Sequence, residues 1–188
     1  MRFYPVQQPP LKLLLTGDPG CGKTTVLRRL VERLSDRIPL TGFLTVELLE
    51  DGKRRGFGGI TTGGGEFLLA HRDTGSDLRV GPYGVDLRGL ENVGLPSLEP
   101  REDTRLIVLD EIGKMELLSA KFRDRVEALL DGPTPLLATV ASHGVGYVRR
   151  VRNDPRVTLL KMRRHTGDAM VGDILRRLKD AGVIPSTR

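Results

Sequence analysis

The run Gly17-Asp18-Pro19-Gly20-Cys21-Gly22-Lys23-Thr24-Thr25 stands between an apolar, strand-like segment (Leu11 to Leu15) and a helix-compatible stretch (Val26 to Leu34). Gly17, Gly20 and Gly22 allow backbone conformations closed to residues with a side chain, so successive amides can turn inward and form an anion cradle. The following helix adds its unpaired first-turn amides and the positive end of its dipole. Lys23 can reach β and γ phosphates, the Thr24 hydroxyl can ligate Mg²⁺, and Thr25 can support the α phosphate. A glycine-rich turn that merely precedes a helix is the alternative. The order strand, loop, helix favours phosphate binding.

A second element has to hold a metal and activate water, and Leu106-Ile107-Val108-Leu109-Asp110-Glu111 suits that need. Four consecutive apolar residues suit a strand buried on both faces of a parallel sheet, with Asp110 at its C-terminal end, the edge where open α/β sheets bind ligands. Asp110 is placed to hold Mg²⁺ directly or through a water. Glu111, just past the strand, can orient or deprotonate a water for attack on the γ phosphate. The pair could instead cap the strand as solvated acids.

Strand signals alternate with helix signals along the chain, which predicts an α/β fold with a mainly parallel sheet flanked by helices. Phe43 to Leu49, the hairpin signal Asp51-Gly52, Phe57 to Thr61 and Glu66 to His71 read as a β meander inserted at about 41–71. Arg79 to Asp86 is too rich in Gly and Pro for a helix, and Ser97 to Arg105 is a polar connection. Met115, Leu118, Phe122, Val126, Leu129 and Leu130 recur at helical spacing before Asp131-Gly132-Pro133. Leu136 to Val140 and Val157 to Leu160 read as buried strands, with a helical stretch at Val145 to Val151 between them and a last helix at Ala169 to Lys179.

The 188 residues suit one domain, 1–188. Met1 to Pro10 holds no apolar run of signal-peptide length, and no segment approaches a membrane span, so a cytoplasmic protein is expected. The single Cys21 excludes an internal disulfide framework and reads as a small residue fitting the loop, while the three histidines lack metal-ligand spacing. The formal charge is +6, with 23 Arg against 7 Lys. Nucleic acid is a conceivable partner on that ground but is not favoured: the Arg pairs at 28/29, 54/55, 149/150, 163/164 and 176/177 are dispersed, and no Trp is present for stacking.

Together, the phosphate loop, Gly42-Phe43 with the Asp51-Gly52 hairpin, Arg79-Val80-Gly81-x-Tyr83-x-Val85-Asp86-Leu87 and Asp110-Glu111-Ile112-Gly113-Lys114-Met115-Glu116-Leu117 resemble the thermophilic-type nucleoside-triphosphatase family, which includes an animal cancer-related member. The similarity runs over nearly the whole chain. It implies a RecA-like P-loop fold and slow, Mg²⁺-dependent hydrolysis of ATP, GTP, CTP and UTP with broad base tolerance. It also implies that Gly17 to Thr24 form the triphosphate loop and that Leu106, Ile107, Val108, Leu109, Asp110, Glu111, Ile112 and Gly113 form a second nucleotide-contacting segment. The family pattern has Asn-Arg shortly after the last core strand, where this chain has Thr166-Gly167. Arg163 or Arg164 could replace that pair from a shifted position, or could simply be solvated. Lys114 could approach the phosphates or lie on the surface. Tyr83 could stack on a base and Arg79 could face the phosphates, or their loop could serve packing alone.

Two other function classes fit the residues. One is a phosphotransferase acting on a nucleoside, nucleotide or polynucleotide, with the meander as acceptor pocket. The other is a nucleotide-dependent nucleic-acid switch.

Overall fold

A computed structural model describes residues 9–185, so the expectation for the N-terminal segment rests largely on residues outside the described ones. The apolar runs form strands close to where the alternation places them. β1 (Lys12–Thr16), β2 (Leu40–Glu50), β3 (Lys53–Thr61), β4 (Glu66–His71), β5 (Arg79–Val80), β6 (Tyr83–Val85), β7 (Leu106–Ile112), β8 (Leu136–Val140) and β9 (Thr158–Lys161) make one sheet in the order β5-β6-β4-β3-β2-β7-β8-β1-β9. From β2 to β9 neighbouring strands pair in parallel, and on the other side of β2 every pairing is antiparallel. β2 belongs to both regimes: Leu40 to Phe43 lie beside β7, and Phe43 to Glu50 run out with β3 as a ribbon. The meander therefore grows out of a core strand, and the Gly- and Pro-rich segment adds the β5-β6 hairpin to it. Asp51 and Gly52 both have positive φ, 49° and 70°, as a two-residue hairpin turn of the right twist requires.

Alternation along the parallel strands feeds two apolar layers. Leu13, Leu15, Val108 and Leu137 face α1 (Lys23–Leu34) and α6 (Gly167–Asp180), where Val26, Leu27, Leu30, Val171, Ile174 and Leu178 are buried. Leu14, Ile107, Leu109, Leu136 and Ala138 face the other layer, with Phe122, Val126, Leu129 and Leu130 of α4 (Ala120–Asp131) and Val148 and Val151 of α5 (Tyr147–Arg152). Each such large side chain contributes roughly 1.5–3 kcal/mol of apolar transfer free energy. The other two helical pieces are α2 (Leu87–Gly89) and α3 (Leu95–Ser97), joined by a π-helical turn at Leu90–Gly94. The sequence reading placed no helix there, since Gly89, Gly94 and Pro96 interrupt the signal. Asp86 starts it by accepting from the Arg88 and Gly89 amides.

Two details depart from the sequence reading, and a third, at Lys12, lies outside it. Met115 and Leu118 are not part of α4: Ser119 takes an extended conformation and its hydroxyl caps the Phe122 amide, so a separate 3₁₀ turn, Glu116–Leu118, precedes the helix and leaves Leu118 exposed. Glu111 lies within β7, at the place where the register with β8 breaks between Leu109 and Ile112. Lys12, inside an apolar run, is 2% exposed. Its ammonium donates to the Leu129, Gly132 and Thr134 carbonyls at 2.6–2.8 Å, which ties β1 to the C-terminus of α4. Burial above all, then the Arg156 charge, pushes its pKa down to about 8.

Candidate active site

The C-terminal ends of β1 and β7 open on one edge of the sheet, with β8 between them. A cleft of about 880 Å³ lies at that edge. The loop and the start of α1 form one wall, including Gly20, Gly22, Lys23 and Thr24. The exit of β7 supplies Glu111, Gly113, Lys114, Met115 and Glu116, and the meander supplies Thr45, Glu47, Arg54 and Phe57.

The loop is held by its own backbone. Gly20 and Gly22 take positive φ, and the Cys21 amide donates to the Asp18 carbonyl at 3.1 Å. Cys21 is 6% exposed, its side chain packed into the α1/α6 layer. Lys23 folds over the loop and donates to the Gly17 carbonyl at 2.9 Å, with the Glu111 carboxylate 4.0 Å away across the cleft. Burial raises the Glu111 pKa, with Asp110 adding to the rise and Lys23 opposing it. A carboxylate kept partly desolvated beside a lysine suits proton acceptance better than a fully hydrated one.

Asp110 is 1% exposed and sits behind the cleft wall. Its Oδ2 accepts from Thr24 Oγ1 at 2.8 Å, and Thr139 Oγ1 donates to Oδ1 at 2.5 Å. The Thr24 hydroxyl is a hard oxygen donor of the kind Mg²⁺ takes, and Asp110 stands directly behind it. No cluster of three or more His, Cys, Asp or Glu able to hold a metal occurs among the described residues.

Other expected contacts are placed elsewhere. Leu106, Ile107, Val108, Leu109 and Ile112 are 0–1% exposed, with their side chains in the two apolar layers. They fix where Asp110 and Glu111 emerge. Tyr83 packs edge-on against Phe57 and accepts from Arg54, and Arg79 donates to the Pro82 carbonyl of its own hairpin. Tyr83 is buried in that packing, 8% exposed, whereas Arg79 is exposed. Thr166 turns its hydroxyl onto the Arg163 carbonyl at 2.7 Å, and Arg163 and Arg164 are exposed. Lys114 is exposed on the cleft rim.

Glu116 is a further buried acid, 4% exposed, near Glu111 across Gly113. Burial, reinforced by the Glu111 and Asp110 charges, pushes its pKa up to about 8 from 4.5. A raised carboxyl pKa contributes stability that is full below the unfolded value and is lost as pH rises through the folded one. Stability should therefore fall between about pH 4.5 and 8, and Glu116→Gln should remove roughly 3 kcal/mol of that decline. Urea unfolding at pH 5 and pH 8 measures it; parallel losses in wild type and variant would mean that Glu116 ionises normally.

This fold and cleft define a phosphate-loop nucleotide-binding protein of the α/β class. The sequence model of a family described as NTPase matches residues 12–175. The nucleoside-triphosphatase THEP1 of Thermotoga sp. (strain RQ2) is 41% identical over 170 residues, spanning 90% of this chain and 96% of that protein. Among solved structures, THEP1 from the hyperthermophile Aquifex aeolicus aligns with a TM-score of 0.81 at 37% identity, over 90% of this chain and 99% of that one. A human cancer-related nucleoside triphosphatase aligns with a TM-score of 0.76 at 31% identity, over 90% and 98%. The chain belongs to this NTPase family and is a nucleoside-triphosphatase. The resemblance drawn from the motifs is the correct one.

Proposed function

We propose that the chain hydrolyses ATP, GTP, CTP and UTP to the diphosphate and phosphate in a Mg²⁺-dependent reaction with little base discrimination. The observation that carries this reading is the Glu111 carboxylate standing 4.0 Å from Lys23 over the phosphate loop. Loop amides and Lys23 hold the β and γ phosphates, groups common to every nucleoside triphosphate. Glu111 accepts a proton from water as the water oxygen bonds to the γ phosphorus and the bond to the β–γ bridging oxygen breaks. Bound Mg²⁺ would offset the charge on the phosphate oxygens, and Thr24, backed by Asp110, is the group to hold it. A cytoplasmic location belongs to the same reading, since its substrates are there. No helix among the described residues is long and apolar enough to cross a membrane.

Free-phosphate release from the four triphosphates with Mg²⁺, wild type beside Lys23→Ala, tests this. Steady turnover of all four, reduced on the order of 100-fold or more in the variant, is expected. Turnover of one triphosphate alone would refute the broad specificity.

One observation favours a second reading. The cleft continues past Glu111 under the meander, where Phe57, Leu69, Val80 and Met115 provide apolar surface on the side away from the loop. A phosphotransferase would seat its acceptor there, and γ-labelled ATP with added nucleosides or nucleotides would pass label to the acceptor at the expense of free phosphate. For a nucleic-acid switch the arginines offer less: Arg54, Arg55, Arg125, Arg156 and Arg177 already pair with carboxylates of this chain.

A further inference from the structure

Asp110 is buried among hydroxyls contributed by three different elements. Besides Thr24 of α1 and Thr139 of β8, Thr45 of β2 donates to Asp110 Oδ2 twice, from Oγ1 at 2.6 Å and from its amide at 3.3 Å. Oδ2 thus carries three donors and Oδ1 one, on a side chain 1% exposed. So occupied and so buried, the carboxylate is not part of the cleft lining. It can instead orient Thr24: a hydroxyl has one proton and two lone pairs, and once the Thr24 proton is committed to Asp110 its lone pairs are left for the cleft. Two of the three bonds on Oδ2 come from Thr45, so Thr45 is the main restraint on the oxygen that Thr24 needs. Thr45 also lines the cleft itself and stands where β2 leaves the core to become the meander ribbon.

We propose that Thr45 is a positioning residue that acts through Asp110 and Thr24, setting the affinity of the site for Mg²⁺ in the presence of nucleotide. This rests on the Mg²⁺ reading of the site and goes beyond it by assigning the meander strand a part in the metal site. The substitution Thr45→Val keeps the shape and the backbone amide and removes only the hydroxyl donor. Thr45→Ser restores that donor.

Binding of a fluorescent ATP analogue, measured without metal and then across a Mg²⁺ titration, separates the two halves of the site without requiring turnover. The Mg²⁺ concentration for half-maximal effect should rise about 10-fold or more in Thr45→Val, the usual scale for groups that orient metal ligands, and return to within about threefold of wild type in Thr45→Ser. Metal-free affinity should be the same in all three proteins within about twofold. An unchanged Mg²⁺ midpoint in Thr45→Val would overturn the proposal, as would an equal loss of affinity with and without metal, which would mark Thr45 as support for the loop at large. If wild type itself showed no response to Mg²⁺, the proposal would fall together with the metal reading; a normal wild-type response with an unaffected Thr45→Val would sink the proposal alone.

Discussion

Replacing Glu111 by Gln should leave nucleotide binding within a few-fold of wild type and lower turnover at least ~100-fold, the common scale for loss of a general base. Glutamine keeps the size of the side chain and can still bond to a water, but it cannot take up a proton. The phosphate loop does not depend on the carboxylate: Lys23 is held by the Gly17 carbonyl at 2.9 Å, closer than Glu111 at 4.0 Å, so its position should survive. A pH signature accompanies the rate. Burial lifts the Glu111 pKa above its ordinary range, so wild-type activity should decline on the acid side as the carboxylate is protonated, beginning at higher pH than an ordinary glutamate would give. The residual activity of Glu111→Gln should lack that limb. Single-turnover hydrolysis from pH 5 to 8, with binding measured in parallel, decides it. Turnover within threefold of wild type would remove Glu111 from the mechanism.

Gly42→Ala should destabilise the fold by at least ~3 kcal/mol. Two costs coincide at this position. Its φ of +120° lies where side chains are rarely tolerated, and an added Cβ would sit 1.8 Å from the Val108 carbonyl oxygen and 2.8 Å from its carbon. These are backbone atoms of β7 and cannot rotate away, so β2 and β7 would have to part just where they deliver Thr45 and Asp110. Gly52→Ala separates the two costs: Gly52 also has positive φ, 70°, but nothing lies within 4 Å of its added carbon. It should lose only about 1 kcal/mol, the conformational part. Equal unfolding midpoints for the two variants would show that the contact with Val108 relaxes at little cost.

Much of the site was legible because its parts are contiguous in sequence. The phosphate loop is a local device, and Gly17 to Thr25 carry it whole. Four apolar residues followed by Asp110 and Glu111 mark the end of a buried strand for equally local reasons. The side chains of Leu106–Leu109 and Ile112 pack into the helix layers on the two faces of that strand, as a run of apolar residues implies. The helical pieces between Leu87 and Ser97 escaped because their glycines and proline conceal the signal, although the Leu68 carbonyl lies 2.3 Å from where a Gly89 Cβ would be, which favours glycine there. Nothing local to Lys12 shows that three carbonyls at a distant helix end await it.

By itself the sequence determined the class of protein, since a glycine-rich loop between strand and helix and an acid pair after an apolar run are recognised through spacings of a few residues. The tertiary structure alone decided what surrounds those residues. Strand order places β8 between the loop strand and the acid strand and β2 on the far side, bringing Thr139 and Thr45 to Asp110 from 29 and 65 residues away. It also buries Glu116 until its proton is held to about pH 8, and opens the cleft toward the meander. Threonine is common in strands and carries no signal of its own, so its role here follows from register across the sheet, which no local pattern encodes.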